Sequence, residues 1–130
     1  MSERIETTAI RNLIHNEEYC RKVLPFIKEE YFTDRLEKLI FTEIYKFVNK
    51  YNNLPTKESL SIEMNTNKGV SEGEYKKMNE IISSLNPEPI NLDWLVETTE
   101  TWCKDRAIHN AILGGIQILD GKDKDHTPEY

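Results

Sequence analysis

The residue types that most often carry chemistry are present in this chain but scattered. Three histidines, His15, His109 and His126, lie far apart, and none has a histidine or cysteine four residues away. That spacing is what puts two metal ligands on one helix face. Two cysteines, Cys20 and Cys103, match no zinc or redox spacing and read as reduced thiols in an intracellular helical core. The acidic pairs Glu17–Glu18, Glu29–Glu30 and Glu72/Glu74 fall at helix starts or in polar links, where carboxylates cap and solvate rather than work as acid and base. The phosphate loop G-x-x-x-x-G-K-[ST] is absent, as is G-x-G-x-x-G. Gly114–Gly115 sits inside a helical pattern and reads as a place for close packing or a slight kink. No enzyme active site, metal site or cofactor site is expected in this chain.

Charge and composition narrow the remaining classes. A formal net charge of -6 argues against a module that grips the phosphate backbone. With 38% apolar and 31% charged residues, the 130-residue chain reads as one soluble domain with a real core. No apolar run approaches a membrane span, and MSERIETTAI lacks the apolar segment of a signal peptide, so a cytoplasmic location is expected. A helix-turn-helix over 57–66 and 72–84 has suitable lengths. Its second helix, however, would open with Glu72-Gly73-Glu74, which repels phosphates, and Lys76 and Lys77 are offset by Glu80.

The elements are legible as helices throughout. Ser2 is placed as cap of a first helix with Ile5, Ala9, Ile10, Leu13 and Ile14 inward. Asn16 caps a short second helix with Tyr19, Val23 and Leu24, ended by Pro25, and Phe26 and Ile27 read as core. After a polar link ending in Tyr31-Phe32, Thr33 caps a helix whose stripe is Leu36, Ile40, Ile44, Phe47, Val48 and Tyr51. Leu39, Phe41 and Tyr45 widen it toward all-round burial, the mark of a central helix. Thr56 caps a helix with Leu60 and Met64 inward, Asn67-Lys68-Gly69 is a turn, and Ser71-x-x-Glu74 is a capping box. Tyr75, Met78, Ile81, Ile82 and Leu85 follow at helical spacing, before the stiff link Asn86-Pro87-Glu88-Pro89.

Asn91 to Leu119 then forms one helix of about 27 residues, roughly 40 Å long. Its first half, with Leu92, Leu95, Val96, Trp102 and Cys103, fixes it to the body, and core packing is the expectation for both Trp94 and Trp102. Its second half carries the stripe Ile108, Ala111, Ile112, Gly115, Ile116 and Leu119, which a body of this size cannot cover and which awaits a partner. Asp120-Gly121 stops the helix, and Thr127-Pro128-Glu129 has the form of a returning helix start, so the chain reads as cut where that helix begins. The fold class is all-α: a compact head of about five helices over 1–90, one long arm over 91–120, and a loop with the start of a truncated second arm over 121–130.

Several stretches in order resemble the N-terminal domain of DnaB-type replicative DNA helicases, most closely the branch of the T-even-like phages. They are Tyr31-Phe32 with Leu36, Ile40, Phe41 and Ile44; Leu54-Pro55-Thr56 with Ser59-Leu60; and Trp94-Leu95-Val96-Glu97 with Arg106-Ala107. The order and spacing match over roughly residues 8 to 119. The family's usual glycine-rich segment is here short and polar, as suits a phage-type branch. The resemblance implies a helical head followed by a helical hairpin, hairpins pairing between subunits, and heads forming a collar on a hexameric ring. It implies contact with primase and helicase loader at that collar. It places the ATPase, with its ATP and Mg, in a separate C-terminal domain. The expected function is a non-catalytic collar and interaction domain that self-associates through the long helix and binds no DNA tightly. The alternatives are a small helical DNA-binding regulator and a helical accessory subunit of an enzyme.

Overall fold

The computed structural model describes residues 4–119, with side chains through residue 115. Among them are six α-helices and no strand: α1 Ile5–His15, α2 Glu17–Val23, α3 Arg35–Tyr51, α4 Lys57–Asn65, α5 Glu72–Ser84 and α6 Leu92–Leu119, with a 3-10 turn at Glu29–Tyr31. The all-α expectation of five short helices and one long one holds.

The helix starts follow local chemistry. Asn16 accepts from the Tyr19 N–H, Thr56 and Ser59 form a reciprocal capping box, Ser71 and Glu74 form another, and Asn91 accepts from the Trp94 N–H at 2.9 Å. Two expected caps are corrected. α1 begins after Arg4, which holds the extended cap conformation, rather than after Ser2, which lies outside the described residues. α3 is capped by Asp34, not Thr33: the Asp34 carboxylate accepts from the Glu37 N–H at 3.0 Å. A carboxylate is favoured over a hydroxyl at the positive end of the helix dipole. At the far end of α3, Asn52 takes the left-handed conformation at φ 54° that asparagine tolerates, turning the chain toward Leu54-Pro55.

The body is layered around α1 and α3. α3 packs on α1, α4, α5 and the 3-10 turn, while α6 lies across α1, α2 and the same turn. Ile10, Leu13, Tyr19, Ile40, Ile44, Leu60, Met78 and Leu95 are fully buried where these layers meet. α3 is not buried all round, as its apolar breadth suggests. In its last two turns Val48 still packs against the core, while Tyr45 is 43% and Tyr51 48% exposed. There Phe47 and Tyr51 cover each other, ring centroids 4.7 Å apart, a local pairing that periodicity cannot tell from burial.

One buried polar pair ties α2 to α6. Thr99 gives its only hydroxyl proton to the Leu95 carbonyl at 2.7 Å, so Tyr19, 2.7 Å away, must be the donor in their contact. Burial pushes the Tyr19 phenol well above its ordinary range, which keeps that proton in place. The two substitutions are therefore unequal. Thr99→Val strands a buried phenol and should cost about 1–3 kcal/mol, whereas Tyr19→Phe leaves Thr99 satisfied and should cost about 0.5–1.5 kcal/mol. Urea unfolding midpoints of the two variants check the order.

Arg35 clasps the start of α5, its Nε donating to Glu74 at 2.8 Å and its Nη2 to the Gly69 carbonyl at 3.2 Å. The Arg35 hydrogen bond, then the Ser71 N–H, hold the Glu74 carboxyl down at about 2. A depressed folded-state value stabilises above the unfolded value, 4.5, and the benefit fades as pH falls toward 2. Arg35→Ala should thus melt below the parent above that pH, and the two melting curves should converge in acid.

Candidate interaction surface

Along α6, positions Leu95, Thr99, Trp102, Arg106 and Asn110 recur every three or four residues and face the body. Leu95 and Thr99 are fully buried, and Trp102 and Cys103 nearly so. Trp102 meets Phe32 edge-on at 5.1 Å and Tyr31 at 6.3 Å, and Phe32 stacks on Phe41 at 4.9 Å, so one aromatic cluster joins α6 to α3. One turn further the same face becomes polar. Arg106 Nε donates to the Tyr31 carbonyl at 3.2 Å, and Asn110 Nδ2 donates to the Glu30 carbonyl at 3.2 Å. These two bonds to the 3-10 turn are the last tethers between α6 and the body among the described residues.

The expected stripe begins where the tethers end, and on the other side. Ile108 comes two residues after Arg106, about 200° further round a helix of about 100° per residue. Ile112 follows one turn later. Ile108 is 59% and Ile112 57% exposed. Ala111 is exposed too, and a methyl group built on Gly115 would meet nothing within 4 Å. Ile116 and Leu119 continue α6, but their side chains lie outside the described residues, as do Asp120-Gly121 and Thr127-Pro128-Glu129. The stripe therefore does not prolong the face that holds α6 to the body. At Ile108 and Ile112 it looks away from the body.

Two exposed side chains of α6 escape the sequence reading. Trp94, expected in the core with Trp102, is 53% exposed, and Leu113 is 46% exposed. Trp94 directly precedes the fully buried Leu95, and adjacent helix positions point about 100° apart. That signal is present in the sequence, since Leu95 and Trp102 share a spacing that Trp94 does not.

The groups with chemical potential are engaged structurally. Cys20 and Cys103 are both buried, and burial pushes their thiols up to about 11 and about 12, so they pack as small apolar groups. His15 donates from Nε2 to the Leu85 carbonyl at 2.6 Å, clasping the ends of α1 and α5. No group of three metal-ligating side chains occurs among the described residues, and no described helix is long and apolar enough to cross a membrane.

No protein-family model matches the chain. It is 33% identical over 109 residues to the DnaB-like replicative helicase of Enterobacteria phage T4, and the matched stretch makes up 84% of this chain but 23% of that protein. The likeness to the helicases of T-even-like phages drawn from Tyr31-Phe32, Leu54-Pro55-Thr56 and Trp94 to Ala107 is thereby borne out.

Proposed function

We propose that the chain is the N-terminal, non-catalytic domain of a phage-type replicative helicase, working in the host cytoplasm. Its α6 is the first arm of a hairpin through which subunits pair into a collar. The observation that carries this reading is the apolar stripe of α6, exposed at Ile108 and Ile112 and turned away from the body that holds the helix. The arm is α6, carried on a head formed by the five helices that precede it. Primase and helicase loader are the expected partners of the collar. A DNA-reading role finds no comparable support, because the first turn of α5 carries Glu72 and Glu74 and no cation.

Magnitudes decide how the chain should behave in solution. Burying an isoleucine or leucine is worth about 1.5–3 kcal/mol. Three or four such residues give a gross gain of the same order as the roughly 4–15 kcal/mol lost on association. The chain should therefore be monomeric when dilute and associate reversibly as concentration rises, which sedimentation equilibrium measures. A monomer at every concentration, together with normal rings from a parent helicase lacking these residues, would overturn the reading. With no phosphate loop in its sequence, the chain should also neither bind nor hydrolyse ATP. Calorimetric binding at ordinary nucleotide concentrations would count against that.

A further inference from the structure

A second surface lies at the opposite end of α6. Trp94 is 53% exposed in the first turn, and Ile90, in the link just before it, is 36% exposed. Glu97 stands three residues beyond Trp94 on the same face, and Asp93 beside it. From Met78 to Cys103 there is no lysine or arginine, while Glu80, Glu88, Asp93, Glu97 and Glu100 all fall in that stretch. Other acids of the body have cations in reach: Arg21 meets Glu17, Lys22 meets Glu18, Arg4 meets Glu37 and Arg35 meets Glu74. In the link before α6, Arg11 comes within 4.0 Å of Glu88 with its own side chain only 10% exposed, and Lys57 is spent on the Ser83 carbonyl and Asn86 Oδ1. No ion pair involves Asp93, Glu97 or Glu100 among the described residues.

We propose that Trp94 and Ile90 form the apolar floor, and Asp93, Glu97 and Glu88 the acidic rim, of a docking surface for a Lys/Arg-rich amphipathic segment of a partner protein. A large aromatic left half-bare in a well-packed body is the residue type that dominates binding energy when covered. The rim selects among occupants by charge. Nucleic acid and anionic lipid share its sign. A second copy would bring the same Asp93, Glu97 and Glu88 against it, and like charges facing one another oppose association. A basic segment with aliphatic anchors satisfies both the rim and the floor. This inference does not rest on the helicase reading, since it uses neither the Ile108 and Ile112 stripe of α6 nor ring assembly.

The test uses the 130-residue chain and a synthetic Leu/Lys peptide whose leucines line one helix face. Because Trp102 is buried, a change in tryptophan emission reports on Trp94. The expected result is saturable binding with a blue shift, weakened by salt. Affinity, measured by calorimetry because Trp94→Ala removes the fluorescent reporter, should fall by about tenfold or more in Trp94→Ala and in the Asp93→Asn/Glu97→Gln double variant. Both variants alter exposed side chains, and circular dichroism confirms their fold. Absence of saturable binding overturns the proposal. So does unchanged affinity in Trp94→Ala, or equal binding of a scrambled peptide whose leucines line no face. A blue shift on raising the protein concentration alone that persists in Ile112→Glu would assign the surface to a second copy and equally overturn it.

Discussion

Trp102→Ala should cost the fold about 3–5 kcal/mol, the range for removing a large buried aromatic. Against a total stability of about 5–15 kcal/mol for a domain, that is enough to leave the chain marginal. The cost is high because Trp102 is the meeting point of three elements: it stands edge-on to Phe32, which stacks on Phe41 of α3, and to Tyr31 of the 3-10 turn. The cavity would open where α6 is held, so the long helix should detach before the rest of the body melts. Trp102→Phe should be distinctly milder. The Trp102 Nε1 proton has no acceptor among the described residues, so the smaller ring loses volume but also sheds an unsatisfied buried donor. Chemical denaturation followed by far-ultraviolet circular dichroism measures both. Equal costs for the two variants would show that ring packing is not what holds α6.

Much of this arrangement can be read from residue order because it rests on local rules. Asn16, Thr56, Ser71 and Asn91 cap helices through their own side chains, and Ile10, Leu13, Ile40, Ile44, Leu60 and Met78 recur at helical spacing because they line one core. What escaped is set by contacts distant in sequence. Periodicity finds an apolar face but not whether a neighbour reaches it. Tyr45 and Tyr51 therefore read as buried on α3 although they are 43% and 48% exposed. The tethers from Arg106 and Asn110 to the carbonyls of Tyr31 and Glu30 span 75 and 80 residues and have no signature in either segment. The phase of α6 was legible, yet only as a counting argument: the spacing from Leu95 through Thr99 and Trp102 arrives at Arg106 and Asn110, not at Ile108 and Ile112. Those polar residues mark where the body ends and the free face of the helix begins.

That change of face determines what a single charge on the arm should do. Ile112→Glu places a carboxylate at a side chain already 57% exposed, two residues beyond the last tether and on the other side of the helix. The isolated chain should keep its stability to within about 0.5 kcal/mol, as surface substitutions do. On the proposed reading, pairing of arms would bury that carboxylate against another apolar stripe with no cation to meet it. An unpaired buried charge costs several kcal/mol and is avoided rather than tolerated. Each 1.4 kcal/mol is a factor of ten, so association should weaken by at least about a hundredfold. In the full-length helicase the variant should fail to build its collar while its head remains folded. Circular dichroism of the chain checks the head, and sedimentation of the full-length protein checks assembly. Ile108→Glu, on the same face, should repeat the effect. Lys104→Glu, twice the charge change on the tethered part of the helix, should spare assembly, because the stripe and not the net charge carries the contact. Normal rings from Ile112→Glu, or loss of rings from Lys104→Glu alone, would move the subunit contact away from the stripe.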